Sequence, residues 1–200
     1  MRGSLPRRAI LAGSAAVAAT SLAAALLLRK PTPSIYTLDA HADEPETLRG
    51  IAALSGVTPV RAAPPVQFQD AQGGVHTLAE FAGRGVVLNF WATWCTPCVR
   101  ELPSLADLAR RAAGTDIVVL PLSLDRGGAA AVQAFYAGRG IQHLGVWTDA
   151  DGAASRALGV GGVPTTFVID RQGRIAGLLE GAADWGSAAA LAKIEALAAG

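Results

Sequence analysis

Apolar residues fall into a few distinct patterns along the chain, and each predicts a different element. Ala9 to Leu28 is an unbroken run of twenty uncharged, mostly apolar residues, close to the roughly 20 a helix needs to cross a bilayer's hydrocarbon core. Val86 to Trp91, Ile117 to Leu124 and Thr165 to Ile169 are apolar almost without alternation, as strands covered on both faces are. After the first of these, Val99, Leu102, Leu105, Leu108 and Ala109 recur at three- and four-residue steps, one face of a helix ending near Gly114. Shorter patterns complete the picture. Val66-Gln67-Phe68 and Val75-His76-Thr77 read as a hairpin, followed by a short helix from Leu78 to Phe81 that Thr77 caps. A helix is predicted over 128–137, a short strand over 145–148, a helix over 151–158, and a fourth strand over 174–179 in a hairpin with the third. The last helix, over 185–197, carries Leu191, Ile194 and Leu197 on one face. This order predicts an α/β domain: a mixed central β-sheet flanked by helices on both faces, with an added N-terminal β-hairpin.

Composition changes this picture mainly at the amino end. Apolar content of 51% and a mean hydropathy of +0.34 are high for a soluble chain, and the surplus lies in the first thirty residues. Arg2, Arg7 and Arg8 precede the apolar run, while Arg29 and Lys30 close it. A basic cluster ahead of a first apolar helix usually stays in the cytoplasm, which places the domain across the membrane. The run exceeds the apolar region of an ordinary signal peptide, about 7–15 residues, so an uncleaved anchor is favoured over a cleaved signal. Ala40-His41-Ala42 has the pattern of a cleavage site but lies well beyond Leu28. Arg7-Arg8 reads as an ordinary basic flank rather than a twin-arginine export signal.

The expected organisation is a transmembrane anchor over 1–30, a proline-rich linker over 31–65 and a compact domain over 66–200. The linker holds Pro31, Pro33, Pro45, Pro59, Pro64 and Pro65, a density that breaks regular elements and gives a semi-rigid tether. A short helix over 46–54 is expected within it. Beyond Lys30, sixteen acidic residues face twelve basic ones, a formal −4, and nothing there suggests nucleic-acid binding.

The chain has two cysteines, Cys95 and Cys98, spaced C-x-x-C where the first buried strand meets its helix. That junction puts Cys95 near a helix amino end, whose free N–H groups and dipole favour a thiolate, so Cys95 is the expected nucleophile. Cys98, one helical turn later, is the resolving thiol, and Pro97 stiffens the pair at a position that needs no internal N–H bond. A structural bridge closing so small a loop removes little chain entropy. Zinc normally needs four ligands, and no second cysteine pair exists. Covalent haem attachment needs C-x-x-C-H, whereas residue 99 is Val. Redox exchange is the favoured reading, with no metal and no cofactor beyond the Cys95–Cys98 disulfide itself. His76 and His143 are lone histidines, expected at the surface or hydrogen-bonded.

The segment Val87-Leu88-Asn89-Phe90-Trp91-Ala92-Thr93-Trp94-Cys95-Thr96-Pro97-Cys98-Val99-Arg100-Glu101-Leu102-Pro103 resembles the active-site segment of TlpA/ResA-type membrane-anchored thioredoxin-like proteins. Val163-Pro164-Thr165-Thr166-Phe167-Val168-Ile169-Asp170 resembles their second signature. The resemblance spans 66–200 and implies a thioredoxin fold and an extracytoplasmic thiol–disulfide oxidoreductase. In that family the common role is a reductant for cytochrome c maturation or for copper-site assembly in cytochrome oxidase. It implies that Pro164 follows a cis peptide bond facing the cysteines, and that Val163 offers its backbone to an extended client by strand addition. It implies that Glu101 tunes the thiols and handles protons; the bland alternative is a solvated carboxylate in a helix's first turn. Asn89 stands where thioredoxins proper carry a buried acid. Trp91 and Trp94 read as core and rim packing, with Trp94 also a candidate client surface.

The expected partners are client protein disulfides and the membrane, reached through the amino-terminal helix. The compartment is oxidising and the membrane segment has no cysteine, so a separate transmembrane thiol donor is also expected. Two other functions fit the pair, a disulfide-forming oxidase and a Cu(I)-binding chaperone using both thiolates.

Overall fold

The computed structural model describes residues 51–200. The anchor expected over 1–30 and most of the expected linker lie outside the described residues, and no helix among those described is long and apolar enough to cross a membrane.

The strands are β1 (Ser55–Ala62), β2 (Gln67–Gln69), β3 (Val75–Thr77), β4 (Gly85–Trp91), β5 (Ile117–Ser123), β6 (Trp147–Thr148), β7 (Thr165–Ile169) and β8 (Arg174–Glu180). The helices are α1 (Thr96–Ala112), α2 (Gly128–Arg139), α3 (Ala153–Leu158) and α4 (Ala188–Ala198). The strands form one mixed sheet in the order β1-β8-β7-β4-β5-β6-β2-β3.

Strand β4 reads as an unbroken apolar run because both of its faces are covered. Side chains alternate across a strand, so Val87 and Trp91 join one core with Leu102, Leu105 and Leu108 of α1, Val132 of α2 and Ile194 of α4. Val86, Leu88 and Phe90 enter the opposite core with Phe68, Leu158 of α3 and Phe167. Strand β4 pairs parallel with β5, Leu88 opposite Leu120, and antiparallel with β7, Asn89 opposite Thr166. The β4–α1–β5 crossover brings the carboxyl ends of two central strands to the amino end of α1, where α/β sheets commonly place their sites.

The amino-terminal boundary differs from expectation. Within the stretch assigned to the linker, β1 pairs antiparallel with β8, Ser55 opposite Leu178 and Ala62 opposite Arg174. Leu54 is buried, and Lys193 Nζ donates to Ile51 O at 3.2 Å. The ordered domain therefore begins ahead of Val66. Proline suggested a tether, but Pro59 sits in an edge strand, between Gly56 and Arg61 where the register shifts, a place that tolerates a missing ladder N–H. Of the short helix expected over 46–54, the described part is a single 3-10 turn, Ile51–Ala53.

Smaller boundary shifts have local causes. Leu78–Phe81 is one 3-10 turn. The last helix starts at Ala188, where Ser187 Oγ accepts the Ala190 N–H at 3.1 Å, so Trp185 lies in the preceding loop. Such a hydroxyl satisfies one of the free N–H groups at a helix start.

Candidate active site

Cys95 is the N-cap of α1, and Thr96-Pro97 open its first turn. Cys95 and Cys98 form a disulfide with Cα atoms 5.3 Å apart. The Cys98 N–H points at Cys95 Sγ, 3.2 Å away. In the reduced pair this donor and the helix end would stabilise a thiolate on Cys95. The two sulfurs differ in access: Cys95 is 6% exposed and Cys98 is fully buried. Beside them Trp94 is 68% exposed. The Val163–Pro164 peptide is cis, and Val163 O lies 3.5 Å from Cys95 Sγ. Strand and loop thus bring Trp94, Cys95, Pro97, Cys98, Val163 and Pro164 into one region.

Glu101 lies beneath the pair, one turn after Cys98, and has no exposed surface. Its Oε1 accepts from Asn89 Nδ2 at 2.9 Å. Its Oε2 accepts from the Ala183 N–H at 2.9 Å and from the Trp185 indole Nε1 at 3.0 Å. Burial pushes the Glu101 carboxyl above the usual carboxylate range, and the three hydrogen bonds offset part of that rise. A solvated carboxylate, the bland expectation, is thereby replaced by a buried one. Asn89 Nδ2 also donates to Thr166 Oγ1 at 2.9 Å, while Asn89 Oδ1 is buried without a hydrogen-bond partner.

Several participants were not singled out by sequence reasoning. Ser104 Oγ donates to Glu101 O at 2.9 Å and accepts the Trp185 N–H at 3.1 Å, docking α1 on the loop before α4. Asp125, just past β5, accepts from the Thr93 N–H at 2.9 Å, the Thr93 hydroxyl at 2.7 Å and the Ser123 hydroxyl at 2.7 Å. The available signal was a cluster of polar residues, Ser123 and Asp125, closing an apolar strand at its carboxyl end.

Other candidates lie elsewhere. Trp91 packs in the core, stacked on Tyr136 with ring centroids 5.6 Å apart. His76, in the hairpin, bonds Asp70 at 3.0 Å and Glu80 at 2.8 Å. His143 is exposed. Among the described residues no cluster of three or more His, Cys, Asp or Glu is placed to hold a metal ion. A cavity of about 600 Å³ lined by Pro64, Leu78, Phe81, Val86 and Ile169 opens at the start of β4, the end remote from the cysteines.

Residues 59–177 match the AhpC/TSA family. Over 121 residues the chain is 33% identical to the thiol-disulfide oxidoreductase ResA of Geobacillus thermodenitrificans, covering 60% of this chain and 67% of that one. Its identity to ResA of Bacillus subtilis is 32% over 121 residues, covering 65% of that protein. The matched part is thus about two thirds of these relatives' length. Among solved structures, a putative thiol:disulfide interchange protein DsbE from Chlorobium tepidum superposes with a TM-score of 0.61 at 28% identity, over 69% of this chain and 96% of that one. A putative thioredoxin from Neisseria meningitidis gives 0.58 at 26% identity, covering 68% and 89%. With a thioredoxin-like fold and a C-x-x-C disulfide at the carboxyl end of its central strand, the chain belongs to the AhpC/TSA family as a ResA-like thiol–disulfide oxidoreductase.

Proposed function

We propose that the chain reduces disulfides of client proteins outside the cytoplasm, tethered to the membrane by its amino-terminal segment. The observation that carries this reading is the asymmetry of the pair: Cys95 reaches solvent and receives an N–H at its sulfur, while Cys98 is enclosed behind it. Reaction starts with the Cys95 thiolate attacking one sulfur of a client disulfide. A Cys95–client bond forms, the client's own S–S bond breaks, and its second sulfur leaves and takes a proton. Cys98 then gives up its proton and attacks Cys95 Sγ. The internal disulfide forms and the client departs as a dithiol, having gained two electrons and two protons. Glu101, one turn from Cys98, is the proposed proton acceptor for that step. Val163, beside Cys95 through its carbonyl, would pair with an extended client segment, and Trp94 and Pro97 would border it.

Each turnover leaves the pair oxidised in a compartment kept oxidising. A transmembrane thiol donor must therefore return two electrons. The relatives' names support the exchange chemistry, and the client class we propose is an apocytochrome c or a copper-site protein awaiting reduced thiols. Cys98→Ser tests this directly. It removes the resolving sulfur, so client proteins should accumulate on Cys95 as mixed disulfides released by reductant. Recovery of none, with wild-type exchange intact, would count against the mechanism.

A further inference from the structure

We propose that Asp125 is a positioning residue for the exchange pair, acting through Thr93; the inference rests on the exchange function proposed above. Strand pairing between β4 and β5 ends at Trp91 and Ser123, with one further bond from the Leu124 N–H to Trp91 O at 2.9 Å. Between Trp91 and Thr96 the chain has left the ladder, and Ala92 to Cys95 must be held in another way. Asp125 takes over from the sheet. Its Oδ2 accepts the Thr93 N–H and its Oδ1 accepts the Thr93 hydroxyl. The carboxylate is held in turn by the Ser123 hydroxyl on Oδ2, and Ser123 Oγ accepts the Asp125 N–H at 3.1 Å.

That placement passes on to the sulfur. The Cys95 N–H donates to Ala92 O at 3.1 Å, closing a turn whose middle residues are Thr93 and Trp94. Where Thr93 sits therefore decides where the N-cap sits. Two contacts of Cys95 Sγ depend on it: the Cys98 N–H at 3.2 Å and Val163 O at 3.5 Å. Asp125 is only 6% exposed, so its three donors are bonds in a low-dielectric setting, where such contacts hold geometry most firmly. Ser123 and Asp125 also give a use to the polar close of β5 that packing alone does not require.

Thr93→Val removes the hydroxyl with little change of shape, and Thr93→Ser restores it. The readout is the pH dependence of Cys95 alkylation by iodoacetamide in the reduced full-length protein, with client-disulfide reduction measured alongside. A misplacement of about 1 Å can cost on the order of a hundredfold in rate. Thr93→Val should therefore slow Cys95 alkylation at neutral pH by about tenfold or more and move its midpoint upward, because the thiolate loses its aligned donor. Thr93→Ser should return both to the wild-type values. A Thr93→Val protein that melts lower yet alkylates with wild-type rate and midpoint would overturn the inference, since a purely structural role predicts that outcome. If Thr93→Val does not fold, Thr93→Ala, which leaves room for water at Asp125 Oδ1, carries the same comparison. Alkylation needs no client, so it decides the placement of Cys95 even where wild-type protein reduces none; that second result would count against the exchange function alone.

Discussion

Glu101 sits where a carboxylate is expensive, and three donors hold it there. Replacing it with Gln leaves one acceptor oxygen for donors on Asn89, Ala183 and Trp185, and at least one buried N–H loses its partner. The expected cost is about 1–3 kcal/mol, read by urea unfolding. The pH dependence has a definite sign. The folded pKa is raised above the ordinary 4.5, so between those two values the native state binds more protons than the unfolded one. Glu101 therefore makes stability fall as pH rises through that window, and Glu101→Gln should flatten this slope. A thiol titration of the same variant tests the proton role: unchanged cysteine pKa values and exchange rate would remove it. The sequence placed Glu101 on the Cys98 side of the helix, three residues on. It could not disclose the burial, because Ala183 and Trp185 lie more than eighty residues away and local periodicity carries no such information.

At the scale of elements, the hairpin β2–β3 and the following 3-10 turn are clasped by His76 between Asp70 and Glu80. Hydrogen bonds to Asp70, then to Glu80, raise the His76 pKa above 6.5. The hydrogen bond from His76 lowers both carboxyls. The histidine's contribution is thus full below about 6.5 and fades as pH rises through its raised value; the carboxylates' contribution is lost in acid, as pH falls through their lowered values. His76→Gln should remove the fall in thermal stability that follows as pH rises above about 6.5 through the histidine's raised value, a difference readable by melting curves across pH. Alternation and turn residues made these elements legible, yet the histidine's two partners emerged only when the hairpin closed.

Packing limits show most clearly at Gly85. A Cβ there would stand 2.5 Å from Ala198 Cβ and 2.7 Å from Ile117 Cδ1. Gly85→Ala should destabilise by about 1–3 kcal/mol, seen as a lower urea midpoint, because α4 crosses the start of β4 at close range. The central strands and α1 were legible since burial on both faces, or on one helical stripe, imposes a pattern. Strand β1 was not, because an edge strand exposed everywhere but at the half-buried Val57 has no apolar pattern, and its proline pointed to a tether.

At the scale of the molecule, the sheet sets the C-x-x-C at the carboxyl end of β4, Pro164 opposite through β7, and Glu101 below through α1. The family was legible from two short signatures because the chemistry confines their residues. The supporting shell of Asp125, Ser104 and Trp185 was not, since each contact joins segments that only the fold brings together. The central claim is that this site works as a reductant, and the reduction potential of the Cys95–Cys98 pair in the full-length protein tests it most directly. Equilibration against glutathione or dithiothreitol buffers should give a value well below about −180 mV. A value near about −120 mV, where the dithiol is the strongly favoured state, would contradict it and mark the chain as an oxidant.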